Sequence, residues 1–308
     1  MCLAWLRKTN YVFCFLLIAL AASAQVAAQV QPSSAIRLPI TAVHPDGSCV
    51  SLSPQSLRVV DNGNPQTIDS LQPADQLPRR FVIVADTSSS MKSHESLLRE
   101  SVQAAAGLVS QLLRSDADRA ALMTVNRELN LDMRLTSDAQ QLREVGARVQ
   151  VRGDVSKIFD GVAAAAAYAG ENSGTRYRLI LILITAGDDN ASQLSFNEAL
   201  QLASYWGATI HAVALPTGTG SFPPTVEIPT AQTASFMFKA ADTTEIPLLY
   251  DSLRRALTCG YVVQYRPADL EPGSLHSLQV SMPSDPEARL FTALAYQVPS
   301  KEPEKGTH

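Results

Sequence analysis

From Arg79 onward, short continuous apolar runs alternate with longer segments of helical periodicity. Phe81–Ala85 and Leu179–Ile184 are apolar at every position. That pattern suits strands buried on both faces of a parallel sheet. Ala120–Val125 and Thr209–Leu215 predict two further strands. Between them, Leu98, Val102, Ala105, Val109 and Leu112 recur at helical spacing. The alanines around Ala163–Ala167 predict another helix, and Ile246, Leu249, Leu253 and Leu257 a last one ending near Gly260. Two helix starts carry a capping-box pattern, Ser137 with Gln140 and Ser195 with Glu198; Gly207 stops the second helix. Leu129, Leu131, Met133 and Leu135 alternate strictly, which predicts a half-exposed strand at a sheet edge.

The flanks follow a different pattern. Ile36–Val43 reads as a strand closed by the turn Pro45-Asp46-Gly47. Leu57–Val60 is followed by Asn62-Gly63, a hairpin signal. After Gly260, strands are predicted at Tyr261–Tyr265, His276–Met282 and Leu290–Tyr296. The expected architecture is a doubly wound, mostly parallel α/β sheet over residues 79–260. Residues 25–78 and 261–298 would form a small β unit from both chain ends, and 299–308 a polar, disordered tail.

The N-terminus changes this picture. Arg7 and Lys8 precede an apolar run from Tyr11 to Ala22, and Ala22-Ser23-Ala24 offers small residues for cleavage. These are the parts of a secretory signal peptide over residues 1–24. The run is shorter than the roughly 20 residues that a membrane span needs. A secreted or periplasmic, envelope-associated protein with no membrane span after cleavage is therefore expected. Cys2 and Cys14 would leave with the signal. Cys49 and Cys259 would remain as one candidate disulfide pair in an oxidising compartment, although sequence alone does not bring them within bonding range. The net charge of −4 and the absence of a Lys/Arg run argue against nucleic acid as a partner. The sequence has no phosphate loop, nucleophile elbow, dinucleotide glycine fingerprint or His-Glu-x-x-His pair. No enzymatic activity is therefore expected.

In an open α/β sheet, ligands bind beyond the C-terminal ends of the strands. Three oxygen-rich segments arrive there. They are Asp86-Thr87-Ser88-Ser89-Ser90, Gly153-Asp154-Val155-Ser156 and Thr185-Ala186-Gly187-Asp188-Asp189-Asn190. A carboxylate and two hydroxyls at alternating positions can converge on one hard cation, which takes oxygen ligands. The plainer reading is a polar loop whose serines cap the next helix.

Phe81-Val82-Ile83-Val84-Ala85-Asp86-Thr87-Ser88-Ser89-Ser90-Met91 resembles the opening of a von Willebrand factor A domain. Its Asp-x-Ser-x-Ser is that family's metal-ion-dependent adhesion site. The resemblance runs from about Arg79 to Gly260. The flanking Val-Val-Asp-Asn-Gly-Asn-Pro-Gln and Gly-Tyr-Val-Val-Gln-Tyr-Arg-Pro resemble the bacterial exported group of such proteins. The resemblance implies a protein-binding, adhesion-type module. Asp86, Ser88 and Ser90 would hold Mg²⁺, or Mn²⁺ or Ca²⁺, and a partner's Asp or Glu would complete the site. Ser156 stands where the family has a Thr, and keeps the hydroxyl. Ser89 replaces a usual Gly. Ala186 replaces the family's third-loop Asp, so Asp188 or Asp189 would have to reach in, and Asp154 would lie near the metal. Losing a supporting carboxylate costs a metal site roughly 10–100-fold in affinity. A metal-free envelope scaffold is therefore the alternative, and a hydrolase using metal-activated water a weaker one, since no general base is evident.

Overall fold

The apolar runs and the turns between them become a regular succession of strands and helices. This computed structural model describes residues 35–298, apart from 115, 172–176, 187–188 and 217–236. The expected signal peptide, the expected tail and Asp188 lie outside the described residues.

The first strands are β1 (Ile36–Val43), β2 (Arg58–Asp61), β3 (Asn64–Gln66) and β4 (Ile68–Pro73). Asn62 and Gly63 join β2 to β3 with φ of 47° and 78°. Positive φ at both central residues is what a tight two-residue hairpin requires. The α/β region follows. It comprises β5 (Arg79–Asp86), α1 (Glu95–Leu112), β6 (Arg119–Val125), β7 (Leu129–Thr136), α2 (Ala139–Gly146), α3 (Ile158–Glu171) and β8 (Arg178–Thr185). It continues through α4 (Phe196–Tyr205), β9 (Ala208–Ala214), β10 (Met237–Lys239) and α5 (Ile246–Thr258). The last strands are β11 (Gly260–Tyr265), β12 (Leu275–Ser281), β13 (Arg289–Thr292) and β14 (Ala295–Gln297).

The central sheet has the order β10-β9-β8-β5-β6-β7. All its pairings are parallel except β6 with β7. Every residue of β8 is buried, as its unbroken apolar run predicts. Strand alternation sends Phe81, Ile83 and Ala85 into one core with α1 and α5. Val82 and Val84 go into a second core on the other face, with Val162, Ala166 and Leu200. β7 is the antiparallel edge strand that its alternation predicts.

The remaining strands form two four-stranded sheets, β13-β1-β11-β4 and β14-β12-β2-β3. Each mixes strands from both chain ends. They share a core containing Leu38, Ile40 and Val263 from one sheet and Val59 and Leu278 from the other. A polar group is buried in this core as well. The Asp61 carboxylate accepts from the Tyr265 hydroxyl at 2.9 Å and the Tyr296 hydroxyl at 2.7 Å, and lies 2.7 Å from His276 Nδ1. The Cys49–Cys259 pair is a disulfide, with its Cα atoms 5.0 Å apart. It joins the segment after β1 to the residue that ends α5.

One expected helix cap moves. Asp138, not Ser137, starts α2. Its Oδ1 accepts the backbone N–H of Gln140 and of Gln141, both at 2.9 Å. The carboxylate satisfies two orphan N–H groups at the helix start and suits the positive end of the helix. Ser195 and Glu198 form the full capping box of α4.

Candidate metal site

Asp86 is the last residue of β5, and Thr185 the last of its parallel neighbour β8. The register pairs Ala85 with Ile184, so the next residues arrive side by side at the C-terminal edge. The Thr185 hydroxyl donates to Asp86 Oδ2 at 2.7 Å, and the Ser156 hydroxyl donates to the same oxygen at 3.2 Å. Asp86 Oδ1 accepts the Ser88 backbone N–H at 2.9 Å. The Ser88 and Ser90 hydroxyls lie 2.9 Å apart. Asp86, Ser88, Ser156 and Thr185 are buried, and Ser90 faces solvent. The cluster therefore has a closed floor and one open side.

The serines do not cap a helix. Ser88 precedes a 3₁₀ turn over Ser89–His94, and neither that turn nor α1 has a side-chain capping bond. The hydroxyls turn toward Asp86 and one another instead.

Backbone bonds fix the loops around this point. Thr87 O accepts the N–H of Arg152 and of Gly153, both at 3.0 Å, which draws the second loop onto the first. Gly153 is needed for that approach, because a Cβ there would stand 2.3 Å from Asn126 Cβ. The Ser89 hydroxyl donates to the Asp154 carbonyl at 2.7 Å, so the residue that replaces a usual Gly adds a second tie. Asn190 Oδ1 accepts the Ser156 N–H at 2.9 Å, and Ser156 O accepts the N–H of Asn190 and Ala191. The second loop is thereby bound to the third.

The two other described carboxylates of these loops, Asp154 and Asp189, are committed elsewhere. Asp154, expected near the metal, is about two-thirds exposed and pairs with Arg127 at 2.5 Å. Asp189 accepts the Phe159 N–H at 2.9 Å, the Ser192 hydroxyl at 2.6 Å and the Ser192 N–H at 3.0 Å. It caps the start of α3 and does not substitute for the missing third-loop Asp. Ala186 is fully buried, its N–H donates to Met91 Sδ at 3.2 Å, and both residues belong to the apolar core.

Burial pushes the Asp86 carboxyl above the usual carboxylate range, although bonds from Ser88, Thr185 and Ser156 act against this. No Lys or Arg pairs with it among the described residues. A buried carboxylate held only by neutral donors is costly to ionise unless a cation completes it. The donors are all oxygens, and most are hydroxyls, which is the chemistry of hard divalent cations rather than thiolate or imidazole metals. Among the described residues no group of three or more His, Cys, Asp or Glu gathers elsewhere to hold a metal. The donor set therefore fits a Mg²⁺-like ion, with Asp86 its only anionic member among the described residues.

Asp86, Ser88, Ser90 and Ser156 are brought together at this edge of the sheet. Thr185 was not among the predicted ligands. Its signal was available, since it is the first polar residue after a fully apolar strand, as Asp86 is.

The fold and the position of this cluster define a class: an open, mostly parallel α/β domain with an oxygen-rich site at its strand ends. Residues 81–189 match the family model of the von Willebrand factor type A domain. Proximal thread matrix protein 1 from the mussel byssus, in a structure with a zinc-occupied MIDAS motif, is similar at 16% identity and a TM-score of 0.53. The match covers 63% of this chain and 48% of that one. A von Willebrand factor type A structure from Catenulispora acidiphila is similar at 10% identity and a TM-score of 0.50, covering 87% of this chain and 74% of that one. The chain spans about half the length of the mussel byssus structures it matches. At these identities the likeness concerns the fold. No curated protein matches the sequence.

Proposed function

We propose that this is an exported protein-interaction module whose contact point is the Asp86 cluster. Asp86, Ser88, Ser90 and Ser156, with Thr185 orienting Asp86, would hold Mg²⁺, or Mn²⁺ or Ca²⁺. An Asp or Glu of a protein partner would complete the ion's shell. The observation that carries this reading is the buried Asp86 carboxylate with no Lys or Arg paired to it among the described residues, ringed by hydroxyls and open on one side. The zinc-occupied motif of the mussel byssus protein of the same fold supports it. Asp188 remains a candidate contributor from the third loop. The signal-like N-terminus and the disulfide suit the periplasm or the exterior. No described helix is long and apolar enough to cross a membrane.

Ala186 favours a second reading, a metal-free scaffold of the cell envelope, because its methyl is packed into the core where the family places a carboxylate. Calorimetric titration with Mg²⁺ and Mn²⁺ separates the two. The metal-assisted reading expects heat that disappears in Asp86→Ala. Titration without heat in the unmodified protein would favour the scaffold. A pull-down from envelope extract with and without EDTA then identifies metal-dependent partners.

A further inference from the structure

We infer that the β unit carries a second site, a Ser–His–Asp nucleophile built from Ser274, His276 and Asp61 that reacts with small carboxylic esters. Asp61 ends β2, and Ser274 directly precedes β12, which carries His276. The antiparallel register sets Leu278 opposite Asp61, so His276, two residues away on the same face of β12, lies beside that carboxylate. Asp61 Oδ1 is 2.7 Å from His276 Nδ1, and His276 Nε2 is 3.2 Å from the Ser274 hydroxyl oxygen. A base within reach of a hydroxyl, itself oriented by a third group, is the arrangement that activates a serine. A proton on Nδ1, facing the carboxylate, leaves the Nε2 lone pair toward Ser274. Burial follows the same order. Asp61 and His276 are buried and Ser274 is partly exposed, so acid and base sit in the core while the nucleophile reaches the surface.

The surroundings hold this geometry. Asp61 Oδ2 accepts the Tyr265 and Tyr296 hydroxyls, so the carboxylate is engaged on both oxygens. The Tyr296 ring stacks on the imidazole, with centroids 4.9 Å apart and 25° between the planes, and its hydroxyl lies 3.1 Å from Nδ1. A polar pin between the two sheets needs only Asp61 and the tyrosines. It does not need an imidazole whose far nitrogen meets a hydroxyl at the surface. The Ser274 hydroxyl also donates to the Glu271 carbonyl at 2.6 Å. Its proton therefore has two acceptors around one oxygen, and rotation of the hydroxyl moves it from Glu271 O to Nε2. In the reaction, Ser274 Oγ attacks the ester carbonyl carbon and its proton passes to Nε2. The Oγ–C bond forms, the ester C–O bond breaks, and Nε2 gives the proton to the departing alkoxide. Water then cleaves the acyl-serine by the same route, releasing the carboxylic acid and restoring Ser274. Ser274 and His276 act on the reacting atoms; Asp61 is a positioning residue.

The test treats the whole exported chain with an alkyl fluorophosphonate and with p-nitrophenyl acetate. EDTA is present throughout, so that no ion at Asp86 contributes. The fluorophosphonate should place one phosphonyl group on Ser274, with release of fluoride, read by peptide mass spectrometry. Labelling should run at least about 100-fold faster than at any serine of the urea-unfolded chain. Ser274→Ala should lose both the adduct and nitrophenolate release above buffer. His276→Gln should slow both by about 100-fold or more. Asp61→Asn should lower kcat for p-nitrophenyl acetate and leave KM near its unmodified value. If circular dichroism shows that either buried variant fails to fold, the unmodified chain and Ser274→Ala decide alone, since Ser274 lies at the surface. A folded, unmodified chain without a Ser274 adduct overturns the inference. So does an adduct that forms as fast in folded His276→Gln, or ester cleavage that Ser274→Ala retains. None of these outcomes touches the metal-assisted reading of Asp86.

Discussion

Thr185→Val is the sharpest probe of the site's interior. The two side chains have nearly the same shape, so the change removes a hydroxyl and leaves the packing of β8 in place. Thr185 is fully buried, and its hydroxyl makes the shortest side-chain bond to Asp86, at 2.7 Å. Only the Ser156 hydroxyl, at 3.2 Å, then remains on Oδ2. A hydrogen bond to a charged group contributes about 1.5–3 kcal/mol, and a neutral one about 1. Asp86 is buried, so its oxygen cannot recruit bulk water to replace the lost donor. The expected loss is about 2 kcal/mol in the metal-free protein at neutral pH. For a domain of this size each kcal/mol lowers Tm by about 2–4 °C, giving a fall of about 4–8 °C. Urea denaturation should show a lower midpoint with an unchanged slope. Ser156→Ala serves as the internal control and should cost less, because its bond is longer. Combining Thr185→Val with Asp86→Asn in a double-mutant cycle should return a coupling well above 0.5 kcal/mol, since the two groups touch. A change within about 0.5 kcal/mol for Thr185→Val, or additivity with Asp86→Asn, would refute the hydrogen-bonded floor described here.

Three further predictions concern the frame around the site. Asp118 is buried and accepts bonds from both Arg79 and Arg114; burial raises its pKa, but these bonds outweigh it and hold the carboxyl at about 2. A depressed carboxyl contributes its stability above the unfolded value and loses it as pH falls from about 4 through about 2. Asp118→Asn should remove roughly 2 kcal/mol at neutral pH and flatten acid denaturation over that window, measured by urea midpoints at a series of pH values. Gly153→Ala forces a Cβ against Asn126 and should cost about 1–3 kcal/mol while displacing the second loop; unchanged stability together with unchanged metal titration would contradict the close packing of these loops. The disulfide closes a separation of 210 residues, so Cys49→Ser should destabilise by about 2–5 kcal/mol in thermal scans.

Much of the fold was legible because one-dimensional patterns report burial directly. The unbroken apolar runs of β5 and β8 required central strands, and the alternation over Leu129–Leu135 required an edge. Asn62-Gly63 and the Ser195–Glu198 box act through bonds only a few residues apart, so sequence suffices for them. Asp138 displaced Ser137 as a cap because two adjacent residues can both serve, and only the backbone path chooses between them.

Asp86, Ser88 and Ser90 could be named from the sequence because a short loop after a buried strand has few ways to place alternating side chains. What the rest of the site contains was decided in three dimensions. Thr185 joins Asp86 through strand register, across 99 residues of chain. Asp154 and Asp189 carry the right charge at plausible positions, yet Arg127 and the N-terminus of α3 claim them. Ala186 could have left a gap, but it is packed against Met91 as core. The sequence by itself determined which elements form and which oxygens are available at the sheet's edge, because periodicity and local turns encode both. Only the tertiary structure decided which of those oxygens share one point, since each carboxylate goes to whichever partner the folded backbone brings nearest.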